Sequence, residues 1–151
     1  MEGIVISRIT LASRSYFGLV NIRKAKNINR KYKVIIYKTL IKPVLMYGAE
    51  TWVLSKPDEL RLGVFERKIL RRIYGPICEE ATWRSRYNEE LCRLYDESDL
   101  VTSIRITRLR WAGHIVRTQD NLPCTKITLD KLEGRRRVGR PNLRWMDGWM
   151  E

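Results

Sequence analysis

The residues of this chain whose type and spacing could do chemistry are its lysines and arginines, and the chemistry is ionic: ammonium and guanidinium groups held against phosphate oxygens. Lys31, Lys38 and Lys42 recur at helical spacing, as do Arg67, Lys68, Arg71 and Arg72 further on. Two more stretches share this character. One is Arg105, Arg108 and Arg110 beside Trp111, whose ring can stack on a base, and the other is Gly134-Arg135-Arg136-Arg137-Val138-Gly139-Arg140-Pro141. Over 151 residues there are 30 Lys and Arg against 17 Asp and Glu, a net charge of +13. Such an excess must repel itself or face a polyanion, with nucleic acid first and an acidic membrane surface second. Residues 1–75 hold 16 basic and 5 acidic side chains and residues 76–151 hold 14 and 12, so an electrostatic partner favours the first half.

Other chemistries find little support. Phosphoryl transfer by metal ions needs converging carboxylates, yet no two aspartates are adjacent, and Glu79-Glu80 and Glu89-Glu90 read as solvated charge in an acidic stretch. His114 is the sole histidine, so every nucleophile and base pair would have to converge on it, and a residue on a helix face is the simpler reading. Cys78, Cys92, His114 and Cys124 could offer zinc three sulfurs and a nitrogen, but they lie 14, 22 and 10 positions apart, unlike compact fingers. No glycine loop of the phosphate-cradling kind occurs. The expectation is a non-catalytic chain with no cofactor, no metal and no small-molecule substrate. An odd number of cysteines without close spacing argues against a disulfide framework and for the nucleus or cytoplasm. The apolar runs are far shorter than the roughly 20 residues of a membrane span, and no signal-peptide core opens the chain, so no membrane partner is expected.

These side chains must be positioned by helices. Val5, Ile9, Ala12, Tyr16 and Leu19 form one apolar stripe, which predicts a helix capped at Ser7 and running to about Asn21. A second helix is expected from Asn29 or Arg30 to Tyr47, with Val34, Tyr37, Leu40, Ile41 and Val44 on one side and Lys31, Lys38 and Lys42 on another. Lys33 falls among its apolar positions, Pro43 should kink it, and Gly48 should end it. A third is bracketed by Ser55, Pro57 and Asp58 at its start and Gly75-Pro76 at its end. Leu62, Phe65, Ile69 and Ile73 share one arc there, with Arg67, Lys68 and Arg71 opposite and Arg61 and Arg72 flanking. Beyond Pro76 a short helix over Asn88–Tyr95 and a longer one capped by Asp99 and reaching about Val116 are expected, although the alternation of Ile104 and Ile106 leaves a strand open. Residues 118–144, broken by Asn121-Leu122-Pro123, Gly134 and Gly139-Arg140-Pro141, read as a loop or arm. The fold class is mainly α: a basic helical bundle over residues 1–75, then a region over 76–151 with short helices and a basic Gly/Arg/Pro-containing arm.

Tyr37-Lys38-Thr39-Leu40-Ile41-Lys42-Pro43-Val44-Leu45-Met46-Tyr47-Gly48-Ala49-Glu50-Thr51-Trp52 resembles the segment that follows the palm in reverse transcriptases of LINE-type retrotransposons. Four further stretches agree, in the family's order: Phe65 to Ile73, Arg86 to Leu91, Arg108 to His114, and Gly139 to Trp145. The resemblance implies a thumb, which grips a primer-template duplex, from residue 5 to about 75, and the family's C-terminal region after it. The polymerase's paired aspartates would lie upstream. It also implies a fragment of an RNA-directed DNA polymerase with an endonuclease, whose partners are nucleic acid (RNA, DNA or their hybrid) and the rest of a reverse transcriptase. The opening Met and the end soon after Trp145 suggest a truncated copy.

The functional expectation is therefore nucleic-acid binding, mainly by phosphate contacts, through Lys31, Lys38, Lys42, Arg67, Lys68, Arg71, Arg72, Arg105, Arg108, Arg110, Arg135, Arg136, Arg137 and Arg140. The alternative is an interaction or degenerate fragment whose apolar stripes need the missing polymerase in order to fold.

Overall fold

In a computed structural model, which describes residues 2–118 and Pro123, the chain is mainly helical. The first helix, α1 (Glu2–Gly18), buries Val5, Ala12 and Tyr16 as the stripe requires. It begins a turn before Ser7, which lies inside it and caps nothing, because burial of Val5 keeps the preceding turn helical. A break at Leu19 leads to α2 (Val20–Lys24), whose end is closed by Lys33 donating from Nζ to the Ala25 carbonyl at 2.9 Å. That contact explains a cation among apolar neighbours: it satisfies a carbonyl at a helix end.

Asn29 caps α3 (Arg30–Ile36), its side chain accepting from the Lys31 N–H. The run then widens into a π turn, Tyr37–Ile41, before α4 (Lys42–Met46). The Lys42 N–H reaches the Tyr37 carbonyl five residues back, and this wider turn accommodates Pro43, which has no N–H to give. One extra residue in the turn sets all that follows back by roughly a quarter turn, or about 100°. In consequence Val34, Tyr37, Ile41 and Leu45 are buried while Leu40, expected on the apolar side, is exposed. Gly48, with φ +73°, ends the segment, and a 3₁₀ turn (Ala49–Thr51) follows.

The centre of the molecule is α5 (Lys56–Tyr74). Ser55 accepts from the Asp58 N–H and gives its own hydroxyl hydrogen to the Asp58 carboxylate, fixing the start as expected. The expected arc is buried, but so are Glu66, Leu70 and Tyr74, so α5 is covered on two sides, by α1 and α3 on one and by α6 and α7 on the other. Gly75 ends α5 at φ +73°, ψ 177°, a region almost closed to residues with a Cβ, although nothing lies within 4 Å of where one would stand. Gly75→Ala is therefore expected to cost about 1–3 kcal/mol through backbone strain alone, read as a lowered midpoint of thermal unfolding.

Next comes an antiparallel hairpin that the sequence pattern did not reveal, β1 (Ile77–Glu79) and β2 (Thr82–Arg84), with Cys78 opposite Trp83. Its two turn residues, Glu80 and Ala81, both have positive φ, which suits the twist of a tight hairpin but usually calls for Asn or Gly. Arg84 holds the hairpin to α6 (Asn88–Tyr95) by bonding Glu79 and Glu90, each at 2.6 Å, and also stands over the Tyr87 ring. Asp99 caps α7 (Leu100–Arg117) through the Thr102 N–H, so Ile104 and Ile106 lie on a helix rather than a strand. The apolar core runs without interruption from Val5 to Ile104, across residue 75.

One polar group sits inside this core. The Glu66 carboxylate, 4% exposed, accepts from the Tyr37 hydroxyl at 3.1 Å and from the Leu100 N–H at 2.8 Å. A single carboxylate thus joins the π turn, α5 and the first turn of α7, whose N–H groups have no partner within their own helix. Burial pushes Glu66 above the ordinary carboxyl value of 4.5, opposed by those two donors and by Lys42. The sign follows directly. Above pH 4.5 the folded chain holds this proton more tightly than the unfolded chain, so the contribution of Glu66 to stability falls as pH rises through the folded pKa. Glu90, pulled down to about 2 by Arg84 and the Tyr87 N–H, acts oppositely, and its contribution is lost as pH falls. Glu66→Gln should gain in stability relative to the unaltered chain as pH rises above 4.5. Parallel urea-midpoint profiles for the two proteins would show that the fold does not raise the pKa of Glu66.

Candidate nucleic-acid interface

The cations expected to contact phosphate fall in several distinct settings. Lys38 pairs with Glu97 at 2.6 Å, and Lys42 donates to the Ser103 hydroxyl at 2.9 Å, both beside the Tyr95 ring. Arg71, half-buried, bonds the Arg86 carbonyl and the Asn88 side chain at the start of α6. Arg105 pairs with Glu59 at 2.7 Å. Arg108, only 4% exposed, is buried in the face of α7 that packs against the rest of the fold, and burial lowers its pKa. Lys38, Lys42, Arg71 and Arg105 therefore already have partners within the fold, and Arg108 lies inside it. The helical wheel placed Lys38, Lys42 and Arg71 away from the apolar arcs, and their partners come from residues 86–103, later in the chain. Arg110 is exposed next to a half-buried Trp111, whose ring lies 5.3 Å from that of exposed His114. Arg135, Arg136, Arg137 and Arg140, with the expected arm beyond Thr118 apart from Pro123, lie outside the described residues, as does Cys124.

Lys31, by contrast, belongs to a corner where cations accumulate. The connection from α2 to α3 exposes Lys24, Lys26, Arg30 and Lys31, and none of the four pairs with a carboxylate among the described residues. Tyr32 follows them, 63% exposed, with a ring face open to stacking. The corner is held rigidly from beneath. Asn29 caps α3, Lys33 closes α2, and Ile22 and Ile36 line a small cavity with Tyr16, Leu19 and Ile73, which fixes the corner against the ends of α1 and α5. Periodicity did not single out Lys24, Lys26 or Arg30, because they straddle the junction of two short helices and share no helical face. Another signal in the sequence would have found them: from Gly3 to Ala49 there is no Asp or Glu at all, against ten Lys and Arg. Nothing local can neutralise those charges, so the potential over the corner stays positive.

Lys68 and Arg72 are elsewhere again, on the wall of a groove between α1 and α5 with roughly 460 Å³ of open volume. Arg61, bonded to Asp58, shares that wall, and Arg72 stands 5.2 Å over the Phe17 ring. Arg67 lies back along its own helix, its guanidinium close to Gly63.

Among the described residues no group of His, Cys, Asp and Glu is placed to hold a metal ion. Cys78 and Cys92 are both exposed. No helix among these residues is long and apolar enough to cross a membrane.

The chain is similar to an uncharacterized transposon-derived protein of Caenorhabditis elegans, with 27% identity over 120 residues that cover 79% of this chain. It spans 43% of that relative's length. No family model matches the sequence, and no solved structure matches it.

Proposed function

We infer that this chain binds nucleic acid through the corner between α2 and α3, with Lys24, Lys26, Arg30 and Lys31 on phosphates and Tyr32 beside them. One observation carries the reading: four exposed cations on a rigid corner, in a stretch of the chain that contains no acid. Contacts of this kind neutralise backbone charge and release counterions, so they give affinity with little preference for base sequence. The similarity to a transposon-derived protein supports a role next to mobile genetic material. On this reading the chain is the portion after the palm of a LINE-type reverse transcriptase. The corner is its grip on a primer-template duplex, and the polymerase carboxylates belong to a preceding segment. The chain itself contributes binding and no catalytic step. Titrating a labelled duplex at several salt concentrations tests the idea. A log–log slope of about −3 to −4 is expected for four neutralised phosphates. Binding indifferent to salt would exclude a phosphate interface.

A further inference from the structure

The groove between α1 and α5 has a chemistry different from that of the corner. Its floor and lips are apolar and mostly aliphatic: Ile6 from α1 and Leu60 and Val64 from α5 are all about half exposed or more, with Phe17 near one end. Among the described residues its charged lining is entirely basic, with Lys68 and Arg72 along the α5 side and no acidic residue. Exposed aliphatic groups gathered in a concave site beside a buried core mark a place where another surface is excluded from water. We propose that this groove docks an amphipathic α-helix that carries an aliphatic stripe and acidic residues along its flank.

Shape and charge both favour that occupant. The groove runs from Ile6 to Phe17 on α1 and from Leu60 to Arg72 on α5, which at 1.5 Å per residue is roughly 17 Å, or about three helical turns. Helix-in-groove binding presents apolar side chains at i, i+4, i+7 and i+11, and a floor of branched aliphatic groups receives them as neighbouring helices do in a bundle. Bases stack on aromatic faces, and the only half-exposed ring in the groove, Phe17, already carries Arg72, so a single strand of nucleic acid finds little here. A second copy of the chain would bring one basic wall against another, a like-charge arrangement that disfavours pairing. Acidic flanks on the incoming helix match Lys68, which forms no ion pair among the described residues.

The test uses the full chain and a fluorescein-labelled synthetic peptide of roughly three to four turns, with leucines at that spacing and glutamates beside them. Fluorescence anisotropy is expected to show saturable binding near the micromolar range, typical of a short helix in an exposed groove. Val64→Glu places a charge on the groove floor at a site 57% exposed, so helical content by circular dichroism should hold while affinity falls about tenfold or more. Lys68→Glu should weaken the glutamate-flanked peptide several-fold and strengthen a lysine-flanked version of it. Absence of saturable binding, undiminished binding by Val64→Glu, or equal affinity for the two peptides would overturn the proposal. So would displacement of the peptide by an oligonucleotide, or self-association that Val64→Glu abolishes, since these assign the groove to nucleic acid or to a second copy. Neutralising the corner should leave peptide binding unchanged, which separates a failure here from a failure of the nucleic-acid reading.

Discussion

Changing Lys24, Lys26, Arg30 and Lys31 together to glutamine is expected to lower affinity for a duplex by about a hundredfold or more near 0.1 M salt, and by similar factors whatever its base sequence. Each lost phosphate contact should also flatten the salt dependence by about one unit, so the slope should approach that of residual binding from the rest of the basic surface. The fold should not notice. All four side chains are exposed and make no ion pair among the described residues, and surface changes of this kind usually stay within about 0.5 kcal/mol. Changing Lys38, Lys42, Arg71 and Arg105 instead is the informative comparison. Those groups hold Glu97, Ser103, Asn88 and Glu59, so their loss should lower the unfolding midpoint while shifting the salt slope by no more than about one unit. If the second set proved the more damaging to binding, the interface would lie on the face now covered by α6 and α7.

Glu66→Ala should be the most destabilising single change considered. It leaves the Tyr37 hydroxyl and the Leu100 N–H inside the core with no acceptor, each costing about 1–3 kcal/mol, and it opens a void where the carboxylate stood. A total of about 3–5 kcal/mol is expected, equivalent to a fall of roughly 10 °C or more in the thermal midpoint. Glu66→Gln should cost less, because an amide oxygen still serves one of the two donors. Tyr37→Phe in the alanine background removes one stranded donor and should recover part of the loss, so the two changes should be clearly non-additive in a double-mutant cycle. Strict additivity would mean that the hydroxyl does not depend on Glu66.

Local rules made much of the helical framework legible. The stripe through Val5, Ala12 and Tyr16, the Ser55 to Asp58 start and Gly75 end of α5, and the Asp99 cap of α7 could all be read from spacing and capping chemistry, and each is present. Where reading failed, something beyond the local pattern had intervened. At Ser7 the burial of Val5 outweighed an available cap. After Tyr37 the π turn that makes room for Pro43 turned Leu40 outward and Leu45 inward, which no fixed period foresees. At Glu80 and Ala81 a hairpin formed on residues that do not announce a turn.

The candidate interface shows the same division. Composition alone determined that the first half of the chain is strongly cationic, and the acid-free stretch from Gly3 to Ala49 already marks where that charge concentrates. Which cations remain available was decided by tertiary structure, because a helical wheel reports direction around one axis and cannot report what packs against it. Arg108 lies on the same stripe of α7 as Ile104 and Ala112, and the packing of that stripe buries it. Lys38 is neutralised by Glu97, a residue far along the chain that reaches it only in the folded state. Lys31 kept its expected exposure because, among the described residues, no acidic side chain pairs with it. Charge is a property of the chain, but its availability depends on contacts between residues far apart in sequence, and those exist only once the core has formed.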